Sequence, residues 1–462
     1  MNLLKKSICT SLAIAVCASG VSAESLREAV RFAVTTNPAV KASEAEMRGA
    51  AYELLELRRE FEPTVTVFAE TGWQKVDDPS NLSAEDNNRG KNRDQIGVRA
   101  EVVLFDGFRR SNLVYANSAR VDGSIFRLLD ASETLALNAT EAYIDVYRHQ
   151  ILLEVAKRNV SKHEEIGQRV RDLVQGGRLP FSDELTIDDR IRSARLAQLE
   201  VERALRDANA RYERVVGRAP SGGMTVPRAP APQSLQALTQ AAITNSYRVQ
   251  FARTQIDQTR FEGEALLGDN MPRISLFAGV SHDNNRNGVT GTRTDESIGL
   301  GLSWTLYQGG RRAERSALAE QTSRAMSEQA IAVREVTELA ARTWNTYRTN
   351  LERTQQLQEQ LRINLLIVEV YGDEFEAAKR TLLDLLEVER ARFNVEFETV
   401  GAQAGLAFST YRALATQSKL ADHFGLAKSD LAFDPNFQSL TKDNPIGIFD
   451  VSIEPLSTEP LQ

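Results

Sequence analysis

Cysteine is nearly absent. The chain of 462 residues has two, Cys9 and Cys17, and both fall in an N-terminal stretch that reads as an export signal: Lys5 and Lys6, an apolar run from Ile8 to Val16, then small residues ending Val21-Ser22-Ala23. The mature chain is expected to begin at Glu24 with no thiol, which excludes disulfides, thiolate catalysis and cysteine-ligated metals. Lipid attachment at Cys17 stays open but is disfavoured, because Val16 stands where a small residue is expected. The four histidines, His149, His163, His282 and His423, have no metal-ligand spacing, and His149 and His163 lie near an apolar stripe. The stretch Gly217 to Gly223 lacks the Gly-Lys-Ser/Thr ending of a phosphate loop. No enzyme and no cofactor is expected. A net charge of -7 leaves no nucleic-acid footprint. Beyond the leader there is no apolar run of the roughly 20 residues that a transmembrane helix needs, so a membrane crossing would have to use strands.

What is present is duplication. Ser25 to Thr71 is echoed by Ser234 to Ser281, LFDGFRR at 104–110 returns as LYQGGRR at 306–312, and the run around Ser182-Asp183-Glu184-Leu185 pairs with Leu383-Asp384-Leu385-Leu386. The expected organisation is a signal peptide (1–23), a first repeat (24–219), a proline-rich linker (220–233), a second repeat (234–427) and a partly disordered tail (428–462).

Each repeat carries two segments of period-two alternation, expected as strands at about 63–73 and 96–105, then 273–282 and 297–306. The clearest sets Ile298, Leu300, Leu302, Trp304 and Leu306 against Gly299, Gly301, Ser303 and Thr305. About ten residues is the length of a tilted membrane strand, and Trp73 and Trp304 suit an aromatic girdle. A half-buried soluble hairpin alternates in the same way; the polar intervening loops and the export signal favour the membrane.

The remainder reads as helix. Val121, Ile125, Leu128, Ser132, Leu135, Ala139, Ala142 and Val146 recur at three-four spacing in a proline-free run from 108 to 175, and 309–376 repeats the length. Helices of about 100 Å, at 1.5 Å per residue, must pack as an extended coiled assembly. Shorter helices are expected over Asp183–Val216, Asp384 to about Thr416, Ala39–Phe61 and Arg248–Leu267. Four membrane strands cannot enclose an open barrel, since about eight is the smallest single-chain number. Three chains would give twelve strands and are preferred over two, which would close a filled barrel.

The export signal, the duplicated strand pairs, the LFDGFRR and LYQGGRR turns, and the segments GGRLPFSDEL (176–185) and AKRTLLDLLEVE (378–389) together resemble the TolC family of outer-membrane channel-tunnels, over Glu24 to about Gly425. The resemblance implies a mainly α protein with membrane β: a trimeric 12-stranded barrel, four strands per chain, above a long periplasmic α-helical tunnel. It also implies docking to a periplasmic adaptor and an inner-membrane ABC or RND transporter. Type I protein secretion and multidrug efflux are both open, with a slight lean to secretion. A non-channel periplasmic coiled-coil scaffold or adhesion protein is the competing reading.

Gly107, Gly309 and Gly310 are expected to supply backbone freedom where strand becomes helix, with Arg109, Arg110, Arg311 and Arg312 reaching the headgroup layer. Gly176-Gly177-Arg178-Leu179-Pro180 breaks the first long helix, with Ser182 or Asp183 expected to cap the next. By resemblance, Gly176, Gly177, Arg178 and Leu179 are adaptor-docking candidates, with Ala378, Lys379 and Arg380 their counterparts in the second repeat, where the family often has a glycine. Asp384 and Glu387 share a helix face. Threefold repetition would make them an acidic ring at the tunnel mouth, where the resembling family also has acidic residues, with Arg380 a possible ion-pair partner.

Overall fold

A computed structural model describes residues 24–80 and 82–426; the expected signal peptide, both cysteines and the tail lie outside the described residues. In chain order the elements are α1 (Leu26–Thr36), α2 (Pro38–Arg59), β1 (Thr64–Lys75), β2 (Gly90–Phe105), α3 (Arg109–Gln175), α4 (Phe181–Val216), α5 (Leu235–Asn245), α6 (Tyr247–Gly268), β3 (Arg273–Asn284), β4 (Thr292–Ser303), α7 (Arg311–Glu376), α8 (Leu382–Thr416) and the short α9 (Leu420–His423). Two compact units draw segments from both sequence repeats. One holds Glu24–Ala33, Asn138–Ala229 and Asn350–Phe408, and the other holds Val34–Leu137, Pro230–Thr349 and Ser409–Leu426.

The sheet lies in the second unit. Its four antiparallel strands run in sequence order β1-β2-β3-β4, and the register explains the alternation. Val65 faces Ala100 and Val67 faces Val98; Val98 in turn faces Val280, Ala100 faces Ala278, and Leu276 and Ala278 face Leu300 and Ile298. These residues share one aliphatic face, on which Val67, Ile298 and Leu300 are each more than two-thirds exposed. Thr66, Arg99, Gly279 and Ser297 form a row on the other face. Phe68 and Phe277, which break the polar set, lie against glycines: a Cβ added to Gly97 would come within 2.6 Å of the Phe68 ring, and one at Gly299 within 2.9 Å of Phe277. Arg99 stacks on Phe277 at 5.1 Å. β4 stops at Ser303, so Trp304 and Leu306 continue the expected alternation without ladder bonds, while β2 starts at Gly90.

Helical cores in this unit mix branched aliphatic residues with alanine and serine. Val121, Leu128, Ser132 and Ala136 on α3 are buried, and Leu238, Ala242, Val249, Val336, Ala340 and Ala413 form a cluster joining α5, α6, α7 and α8. The Glu133 carboxylate accepts from the backbone N–H groups of Leu420 and Ala421, both at 3.1 Å, which holds the start of α9. Among the described residues no helix is long and apolar enough to cross a membrane.

In the first unit, Leu152, Ala156 and Val201 pack with Phe397 and Val400. His163 is buried with Nδ1 2.8 Å from the Asn159 carbonyl, and His149 makes the same contact with Asp145. Both sit in helix packing, each engaged with the preceding turn of α3.

Candidate functional site

The two helical hairpins of the first unit end side by side. Ile166, Val170, Ile187 and Ile191 from α3 and α4 share one apolar cluster with Phe375, Leu382, Leu385 and Leu386 from α7 and α8, and Leu173, Val174, Leu179 and Tyr371 pack against it. An Arg169–Glu376 ion pair at 2.5 Å ties the hairpins across the surface. Gly176, Gly177 and Arg178 stand exposed at the first tip, and Ala377 to Arg380 at the second. Leu179 turns partly inward to the cluster.

Both tips close with one backbone pattern. Gly177 N–H donates to the Val174 carbonyl (3.0 Å) and Arg178 N–H to Leu173 (2.9 Å); Ala378 N–H donates to Phe375 (3.0 Å) and Lys379 N–H to Glu374 (2.8 Å). This is the Schellman arrangement, which needs a left-handed residue. Gly177 fills it at φ +69° and Ala378, without glycine's freedom, at φ +57°.

The restart differs between the hairpins. Pro180 is the N-cap of α4 and makes no side-chain bond; Ser182 and Asp183, expected as caps, lie inside the first turn, because proline's fixed φ already suits the cap position. In the second hairpin, Asp384 N–H donates to Thr381 Oγ1 (3.2 Å), while Thr381 N–H and Oγ1 donate to Asp384 Oδ2 (3.2 and 2.8 Å). This is a capping box with aspartate in the acidic position. Those bonds, helped by Arg380, hold the Asp384 carboxyl below its ordinary range, so it is ionised at neutral pH. Arg380 does not bond Asp384: its Nε donates to Glu374 Oε2 at 2.7 Å and its guanidinium lies 4.2 Å over the Tyr371 ring. Glu387 is exposed and pairs with Arg390. Thr381, Glu374 and Tyr371 were not singled out from sequence; the Thr-x-x-Asp spacing is the signal that marks the first of them.

At the strand-to-helix turns of the other unit, Gly107 (φ +67°), Phe108 (φ +65°) and Gly310 (φ +94°) take left-handed conformations; Gly309 does not, so its expected freedom is unused. A Cβ on Gly107 would sit 2.6 Å from the Gly268 carbonyl. Arg110 does not reach outward: it is buried, pairs with Asp106 at 2.7 Å, donates to the carbonyls of Glu60 and Val103, and stacks on Phe61. These three acceptors and the ring take the place of the water that burial removes. Arg109 pairs with Asp269 at 3.2 Å and Arg311 with Asn270 at 3.0 Å, while Arg312 is exposed.

A four-stranded antiparallel sheet with an exposed aliphatic face, joined to helices of 67 and 66 residues, defines an outer-membrane channel-tunnel fold. The chain belongs to the outer membrane efflux protein family, whose model matches residues 30–218 and 238–412, a family of outer-membrane efflux proteins rather than of enzymes. It is similar to the outer membrane efflux protein BepC of Brucella suis, at 24% identity over 76% of this chain and 78% of that protein. It is also similar to the alkaline protease secretion protein AprF of Pseudomonas aeruginosa, at 25% identity over 58% of each chain. Among solved structures, the Campylobacter jejuni CmeC outer membrane channel superposes with a TM-score of 0.74 at 12% identity, over 96% of this chain and 97% of that one.

Proposed function

We propose that three copies of the chain close one outer-membrane barrel and form a passive export duct. An inner-membrane ABC or RND transporter would load it through a periplasmic adaptor docked on the tips at Gly176–Arg178 and Ala378–Arg380. The observation that carries this reading is the sheet itself. Its aliphatic face is exposed, and β1 and β4 each pair along one side only. In hydrocarbon every unpaired backbone group costs several kcal/mol, so those edges must be closed by neighbouring copies. Asp384 and Glu387, repeated by the threefold axis, would form an acidic ring that concentrates cations at the entrance. Relatives named for efflux and for protease secretion support both cargo classes.

The test is single-channel recording in planar bilayers. Wild type is expected to conduct with cation preference, and Asp384→Asn with Glu387→Gln to lose much of that preference at unchanged barrel assembly. Conductance with unaltered selectivity would refute the ring; purified protein that never conducts would refute the duct and favour the periplasmic scaffold.

A further inference from the structure

At the hairpin end of the sheet, opposite the strand-to-helix turns, the polar face is covered by the chain's own loops. The face that carries Arg99 and Gly279 continues outward, two residues at a time, to Lys91 on β2, Asp283 on β3 and Asp295 on β4. These three side chains therefore leave the sheet on one side. A face turned to a water-filled lumen keeps its charges wet, yet Asp283 is 0% exposed and the Lys91 side chain 15%. What covers them is the β3–β4 loop, residues 285–291. Left-handed conformations at Asn285, Asn287, Gly288 and Gly291 fold it back over the sheet. Arg286 pairs with Asp295 and lies 3.5 Å from Asp283. Lys91 Nζ donates to the Gly288 carbonyl at 2.8 Å, to Thr290 Oγ1 at 2.7 Å and to Asp86 of the β1–β2 loop. Thr290 Oγ1 donates to Asp86 Oδ1 at 2.5 Å. Gly288 is buried, and a Cβ there would come within 3.0 Å of Val76 and 3.2 Å of Leu82.

We propose that the β3–β4 loop is a strap across the exit of the duct, tied down by Lys91 and Arg286, which passes small solutes and must be released for bulky cargo. This rests on the barrel reading above, in which the aliphatic face meets lipid and the polar face lines the lumen. Both anchors, Lys91 and the Asp283–Asp295 pair, lie on the polar face, so the strap stands inside the wall. A threefold axis sets three straps around one opening. Lys91 spends all three ammonium protons on the two loops, which makes them move together. The ties are ionic and lie at the water boundary, where salt screens them. The strap is thus held without being locked.

The test places one reporter thiol below the strap, Ser297→Cys, on the polar face beside Gly279. Intact cells are treated from outside with a small charged methanethiosulfonate or with a bulky polyethylene-glycol maleimide. The small reagent should label the thiol whether or not the ties are present. The bulky one should react about tenfold faster once Lys91→Met and Arg286→Gln are added, and raised salt should speed it in the tied protein alone. Thr290→Val, a change at the loop surface, should give an intermediate rate, and it carries the comparison if the double variant loses the high-mass bands of unheated SDS gels. Equal rates for the bulky reagent in tied and released protein would overturn the strap and leave the duct intact. A thiol that the small reagent never reaches from outside would overturn the lumen assignment, and with it the duct and the strap together.

Discussion

At Ala378 the second hairpin asks an L-residue to adopt a conformation its first counterpart gives to Gly177. The penalty for a Cβ there is about 1–2 kcal/mol. Ala378→Gly should therefore raise the urea midpoint by an amount equivalent to about 1 kcal/mol, after the added flexibility of the unfolded chain is subtracted, and Gly177→Ala should lower it comparably. Equal midpoints for all three proteins would show that the tips are strain-free. Asp384 carries the other prediction at this scale. Its folded carboxyl lies below the ordinary value because Thr381 donates to it, so its stabilising contribution is complete above the unfolded pKa and is lost as pH falls through the folded one. Its negative charge, and with it the share of the cation preference that Asp384 supplies to the proposed ring, should persist at pH 4.5 and fade only in stronger acid; Thr381→Val should move that fading upward. Sequence showed the carboxylates but not their partners. Arg380 looked available to Asp384, yet Glu374, a turn away on α7, takes it instead.

Among elements, α3 and α6 present a testable pair. Burial, with the neighbouring Asp257 carboxylate, pushes the Asp122 carboxyl up to about 7, and burial raises Asp257 as well. An acid whose folded pKa is raised binds more protons in the folded state, so stability falls as pH rises from about 4 to about 7 and then levels. Asp122→Asn should be more stable than wild type at pH 8 by about 1–3 kcal/mol, with the difference vanishing near pH 4; a gap independent of pH would contradict this. In the sheet, Val98 sits in the middle of the aliphatic face between Val67 and Val280. Val98→Arg should cost about 2–4 kcal/mol in a bilayer and deplete unheated high-mass bands on SDS gels, whereas an unchanged band would place that face away from lipid. Long helices are legible because their runs lack proline and repeat apolar residues at three-four spacing: 108–175 is the expected span and Arg109–Gln175 is seen. β2 begins at Gly90 rather than near 96 because Lys91, Asn92, Arg93 and Asp94 belong to the part of the hairpin past the aliphatic band, where no alternation marks a strand. The helices α1 and α5, of 11 residues each, showed only as sequence echoes, too short for a decisive period.

For the whole molecule, the duplication visible in sequence does not coincide with the compact units, each of which takes segments from both repeats. Sequence similarity follows ancestry along the chain, while compactness follows the long helices that pass through both units; periodicity cannot report which segments pack together. The proposed oligomer rests on strands too few to close a barrel and on sheet edges left open. The measurement that reaches this claim most directly is the protein mass of the detergent-solubilised particle by light scattering with the detergent contribution removed. Three chains per particle, independent of dilution, is the predicted result. A stable particle containing one chain would contradict it.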